Sequence, residues 1–126
     1  MMAMTAWTSD ELNRIGSAQE MQIAAVRGNG SLRKPVIVWV VRSGDDMYTR
    51  SVHGRDAAWF RGTQIRHEGH IEAGGVDKDV TFVDVDGDVN DEIDAAYRTK
   101  YRSYAGVVPH IVSPQARAAT LKLLPR

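Results

Sequence analysis

The sequence predicts a mainly β fold with helices, an α+β domain arranged as a small barrel of about six mostly antiparallel strands with two or three helices at its ends. Three observations carry that expectation. Short apolar or alternating segments are separated by turn signals at Gly28-Asn29-Gly30-Ser31, Ser43-Gly44-Asp45-Asp46 and Gly74-Gly75. Val36 to Val41 is apolar at every position, the pattern of a strand covered on both faces. Val89 to Tyr104 sets Val89, Ile93, Tyr97, Tyr101 and Tyr104 on one helical stripe, with Ala96 beside it. An open α+β sandwich is the competing architecture.

The elements follow in order. Thr8 to Gly16 reads as a short helix, with Thr8 as cap, Glu11 at the capping-box spacing and Gly16 as the stop. Trp7 stands where it can pin that helix to the body. Gln19 to Arg27 reads as a strand with Met21, Ile23 and Ala25 on one face. Pro35 lacks an N–H and can only open the next strand, Val36 to Val41. Met47 to Ser51 returns as a third strand, completing an antiparallel meander. Asp56 to His67 reads as a helix capped by Asp56. Gly69 to Ala73 and Val76 to Val85 form a second hairpin. The helix from Val89 follows, with acids in its first turns and Arg98, Lys100 and Arg102 at its end. Pro109 and Pro114 bracket a loop that holds His110, and Ala119 to Leu124 is a last strand closed by Pro125.

A chain of 126 residues is long enough for one domain with a core of its own. Zero cysteines exclude disulfides, thiolate catalysis and cysteine-ligated zinc, and fit a cytoplasmic protein. Lys plus Arg and Asp plus Glu balance at 16 each, which gives no general attraction to nucleic acid or an anionic membrane. No apolar run approaches the roughly 20 residues of a membrane span. The first residues, Met1 to Trp7, lack the basic region and apolar core of a signal peptide.

Metal chemistry is not expected. Asp84 to Asp88 superficially resembles a calcium loop, but Val89 falls where Gly is needed and Ala95 where the bidentate Glu is needed. The four histidines, His53, His67, His70 and His110, form no His-Glu-x-x-His pattern. No Gly-x-Ser-x-Gly elbow marks a serine nucleophile, and neither Gly-rich turn sits between a strand and a helix with dinucleotide spacing. What remains is a basic and aromatic set. Arg50, Ser51, His53, Arg55, Arg61 and Arg66 lie in one short span. Arg offers a planar fork to a phosphate, and Ser adds a short hydrogen bond. Trp39, Trp59, Tyr97 and Tyr101 are flat enough to line a ring system. Spacing alone leaves the arginines readable as solvated or paired with Asp45, Asp46 and Asp56, and the aromatics as core.

A resemblance adds to this reading. Trp7 with Glu11-Leu12 and Ile15-Gly16, Pro35-Val36 with Trp39 to Arg42, Tyr48 with Arg50-Ser51, Gly54 and Trp59, Ile71 to Val76, Ile93 to Arg98 with Lys100-Tyr101, and Ala116 to Leu121 span nearly the whole chain. In this order they resemble the domain-of-unknown-function family numbered twenty-two fifty-five. That family is similar to the FMN-binding split β-barrels, the fold of pyridoxamine-phosphate oxidases and deazaflavin-dependent nitroreductases. The resemblance implies one split-barrel domain over residues 1–126. It implies FMN or deazaflavin as cofactor and a homodimer with the cofactor at its interface. Carried over by position, Val38 and Trp39 would lie near the ring, with Arg50 and Ser51 near the phosphate. Arg61, just after Trp59, would be a second anion contact. Tyr48, His53 or Tyr101 would supply a proton to a small organic substrate. The Gly-Arg-x-Ser-Gly motif of the nitroreductases is absent, and His53 stands where a more basic residue is expected. The expected function is a flavin- or deazaflavin-dependent oxidoreductase. The alternative is a split barrel that binds a small molecule without redox chemistry, or an enzyme that needs no cofactor.

Overall fold

The computed structural model describes residues 6–126, so the N-terminal Met1 to Thr5, part of the stretch read for a signal peptide, lies outside the described residues. The first helix, α1 (Ser9–Ser17), is built by a capping box. The Thr8 hydroxyl accepts from the Glu11 N–H at 3.1 Å, and the Glu11 carboxylate accepts from the Thr8 N–H at 2.9 Å. The Lys78 ammonium donates to the same carboxylate at 2.6 Å and holds its pKa below the usual range. The helix runs one residue past Gly16, which is not its stop. The Trp7 indole donates to the Leu123 carbonyl at 3.0 Å and ties this end to the barrel.

The strands are β1 (Met21–Ala25), β2 (Val36–Val38), β3 (Val40–Ser43), β4 (Asp46–Arg50), β5 (Glu68–Ala73), β6 (Val76–Asp84) and β7 (Thr120–Pro125). They form one antiparallel sheet in the order β2-β1-β5-β6-β7-β4-β3. Its two ends are halves of one extended run, separated only by Trp39. The first half pairs with β1, Val38 opposite Met21, and the second with β4, Val40 opposite Thr49. The sheet therefore curls into a nearly closed split barrel, and the open sandwich is ruled out.

The expected single strand Val36 to Val41 is thus broken at Trp39, and Ile37 within it is 60% exposed rather than covered. The break has a physical basis. Carbonyls diverted from a ladder need other donors when buried. The Trp39 carbonyl accepts from the Thr49 hydroxyl at 2.8 Å and the Tyr97 hydroxyl at 3.0 Å. The Val40 carbonyl accepts from the Lys100 ammonium at 2.6 Å and the Tyr101 hydroxyl at 3.3 Å. Burial lowers the Lys100 pKa to about 8.

Alternation along each strand divides the apolar residues into two cores. Met21, Ile23, Val38, Val40, Met47, Ile71, Phe82 and Leu121 fill the barrel. Gly69 is forced by this packing, since a Cβ there would meet the Ala24 carbonyl oxygen at 2.4 Å and the Phe82 ring at 2.5 Å. The outer face of β3 and β4 presents Val41 and Tyr48 to α3 (Val89–Lys100), which contributes Ile93 and Tyr97; Tyr101 and Ile111 complete that second cluster.

Three expectations are corrected. Asp56 does not cap a helix; it ends a 3-10 turn, Gly54–Asp56, and α2 (Ala58–Arg66) starts after Ala57 with no side-chain cap. The helix from Val89 stops at Lys100 with Tyr101 as its C-cap, short of Tyr104. The segment between Pro109 and Pro114 is not a loop but includes α4 (Val108–Ile111) and leads into α5 (Pro114–Arg117), with a proline at the start of each helix, where the missing N–H costs nothing. No helix among the described residues is long and apolar enough to cross a membrane.

Candidate functional site

A cavity of about 380 Å³ opens where the strand breaks. One wall is Ile37, Val38 and Trp39 from β2 and the break. The end of β4 and the turn after it supply Arg50, Val52 and His53. Trp59 enters from the first turn of α2, and Val107 and Ile111 close the far side beside α4. The lining is apolar apart from His53 and Arg50, the composition of small-molecule sites.

The structure brings together Val38, Trp39, Arg50, His53 and Trp59 from the expected set. Trp39 is fixed by the Tyr101 ring, which stacks on it with centroids 3.9 Å apart and planes 1° from parallel, and by the edge of Tyr104 at 5.3 Å. His53 is exposed at the mouth, and its carbonyl accepts from the Gln115 amide at 2.7 Å. Gly54 beside it adopts φ +77° and would drive a Cβ to 2.5 Å from the Gln115 side chain. Its freedom accommodates a neighbouring side chain.

Other candidates stand apart. Tyr48 is buried under α3 outside the cavity lining, and burial raises its pKa. Tyr101 is 1% exposed, its hydroxyl donates to the Gln19 carbonyl at 2.7 Å as well as to Val40, and burial pushes its pKa up. Of the three proton-donor candidates, His53 alone lines the cavity. Arg61 is exposed, outside the lining, and among the described residues makes no ion pair.

Arg50, expected near a phosphate, is surrounded by protein acceptors. Its side chain is fully buried beside Tyr97, with the guanidinium carbon 5.5 Å from the ring centroid. Nε donates to the Thr120 hydroxyl at 2.9 Å. One terminal nitrogen donates to Asp94 at 2.5 Å and to the Ile111 carbonyl at 3.2 Å. The other donates to the Asn90 carbonyl at 3.2 Å and to its side-chain oxygen at 2.8 Å. A guanidinium has five N–H donors, and these contacts use them all. The cavity presents flat apolar side chains for a ring to lie against, and the donors of Arg50 are already engaged by protein acceptors rather than left for a phosphate. Ser51 is 1% exposed, lies between cavity-lining Arg50 and Val52, and its hydroxyl has no hydrogen-bond partner among the described residues.

Sequence reasoning missed Ile37, Val52, Val107 and Ile111 as lining, and missed the cage of Asn90, Asp94 and Thr120 around Arg50. The cage had a signal. Asn90 and Asp94 fall on the same face of α3 as Ile93 and Tyr97, and polar residues on an apolar helix face need partners. Among the described residues, no group of three or more His, Asp or Glu side chains is placed to hold a metal ion.

Comparison with known proteins agrees with this architecture. A family model described as an uncharacterized protein conserved in bacteria (DUF2255) matches residues 11–123. No curated protein matches the chain. Among solved structures, HutZ, a heme storage protein from Vibrio cholerae, superposes with a TM-score of 0.64 at 12% identity, covering 94% of this chain and 89% of its own. An F420-H2 dependent reductase, FDR-A, superposes with a TM-score of 0.62 at 14% identity, covering 84% and 93%. A putative pyridoxamine 5'-phosphate oxidase from Listeria innocua gives 0.56 at 10% identity, covering 91% and 88%. At such identities the likeness is one of fold.

Proposed function

We propose that this chain, which belongs to the DUF2255 family, binds a flat ring of the flavin or deazaflavin class in the cavity between Trp39 and Trp59 and uses it to reduce or oxidise a small organic substrate. The observation that carries the reading is the cavity itself, apolar on three sides and placed at the broken strand of a split barrel. The hydride chemistry belongs to the cofactor when it is bound. The chain's residues bind and orient: Val38, Trp39 and Trp59 exclude water from the ring faces, and His53 at the mouth holds a proton for the substrate. The Ser51 hydroxyl, buried without a partner among the described residues, offers a donor to a polar group that reaches below Val52. With Arg50 closed off, the exposed guanidinium of Arg61 is the anion contact this reading retains. Solved structures of similar fold include an F420-H2 dependent reductase and a putative pyridoxamine phosphate oxidase, which supports the ligand class.

The reading extends to a homodimer. Ile37 at 60% and Val107 at 41% exposure leave the cavity rim apolar, so a second copy would complete its wall. Zero cysteines suit a cytoplasmic setting.

Two of the three tryptophans face this cavity, so intrinsic fluorescence reports on it. Titration with FMN and with deazaflavin should quench that fluorescence with micromolar affinity, about −8 kcal/mol. Trp59→Ala should weaken binding about tenfold. Protein from its native host should carry the absorption of the bound ring. Colourless protein that binds neither ring rejects the redox reading. Arg50's closed cage favours the second reading, a non-redox small-molecule module, and that reading predicts thermal stabilisation by an aromatic carboxylate and none by either flavin.

A further inference from the structure

A second cavity lies on the other side of α4. Its volume is about 450 Å³. Arg98 in the last turn of α3 and Arg102 just beyond it form one wall; Val108, Pro109 and Val112 form the other, with Ala105 between them. Val107 and Ile111 face the first cavity, so this four-residue helix separates the two.

Arg14, Arg66 and Arg117 each reach a carboxylate. Among the described residues, Arg98 and Arg102 reach none, and no carboxylate lines the cleft. Arg27, Arg33, Arg55 and Arg61 also reach no carboxylate among the described residues, but here two such arginines line one cleft. A cation in the last turn of a helix gains from the dipole. That gain accounts for a basic residue on α3 and not for an apolar wall laid against two of them. Val108 and Val112 are only half-buried and turn apolar surface toward the cleft.

We propose that this cleft binds a small amphiphilic organic anion, a carboxylate or phosphate on a short apolar body. Two guanidinium forks match the head group bidentately. The apolar body would cover Val108, Pro109 and Val112 and exclude water from them. The volume falls within the roughly 300–1,000 Å³ of small-molecule sites. The site is independent of any ring in the first cavity.

Octanoate and octan-1-ol, which share a body and differ in charge, test it. Each is titrated into isotope-labelled full-length protein while the amides of Ala105, Val108 and Val112 are followed by NMR. Octanoate should give saturable shifts at those amides and bind at least about tenfold tighter than octanol. Arg98→Gln with Arg102→Gln should remove that advantage while leaving octanol binding and the thermal midpoint unchanged. The proposal is overturned by the absence of saturable shifts, by equal binding of the two probes, or by an unaltered double variant. Shifts confined to Val38 and Val52 in the first cavity also overturn it. So does binding to anionic vesicles as tight as to free octanoate, which would make the patch a membrane contact. Flavin titrations read different residues, so failure there leaves this result standing.

Discussion

Arg50 and Asp94 form a buried ion pair, the arginine side chain wholly inaccessible and the aspartate 6% exposed. Arg117 adds a second cation to Asp94 at 3.2 Å. Removing one partner of such a pair strands a charge in low dielectric, at a cost of about 3–5 kcal/mol, whereas replacing both by apolar groups can be neutral. Asp94→Asn should therefore lower unfolding free energy by about that amount in urea denaturation, and Arg50→Met with Asp94→Leu should recover a large part of it. A double variant no more stable than Asp94→Asn would refute the assignment of Arg50 as a structural cation. The same experiment separates structure from ligand binding. A caged Arg50 contributes stability and no affinity, so Arg50→Met should change ring binding far less than Trp59→Ala does.

The β5–β6 hairpin carries its own titrating element. His70 sits opposite Asp79 in the ladder, and its two ring nitrogens face Asp79, at 2.8 Å, and Asp77. The hydrogen bond that His70 donates to the Asp79 carboxylate, with help from Asp77, holds the His70 pKa above its ordinary 6.5. A raised folded-state pKa means the contribution is complete below the ordinary value and is lost as pH rises through the higher folded value. Thermal midpoints measured from roughly pH 5 to 9 should fall across that window, and less steeply in His70→Gln. An equal slope in the variant counts against the pair. The hairpin was legible from its Gly74-Gly75 turn and its alternation, and α1 from Thr8 and Glu11, because both signals are local. The break at Trp39 was not. Period and hydrophobicity are the same on either side of it, and apart from Thr49 the donors that satisfy its carbonyls, Tyr97, Lys100 and Tyr101, lie some 60 residues away. Trp39 and Trp59 were legible as flat side chains and do meet at one cavity, while the cage around Arg50 was not legible, because it is assembled from α3, α4 and β7. Asn90 and Asp94 on an apolar helix face were the available clue.

At the scale of the whole molecule, the broken strand does two things. It closes the barrel by giving β1 and β4 a shared edge, and it leaves Ile37 on the outside at the rim of the candidate cavity. A barrel with few free edges has little reason to associate through its ladder. Association would instead use the apolar rim, where Ile37 and Val107 flank the opening. A stable dimer buries roughly 1,200–2,000 Å² in total, more than these two side chains provide, so the surrounding β2 and α4 surfaces must take part. Sedimentation at tens of micromolar should give a dimer for the parent chain. Ile37→Glu places a charge at the centre of that contact and should give a monomer. Its thermal midpoint should stay within a few degrees of the parent's, because the side chain is exposed in the single chain. The same variant should bind the ring more weakly if the second copy covers it. A monomeric parent, or a dimer indifferent to Ile37→Glu, would show that the cavity works within one chain and that the apolar rim has no dimer to make.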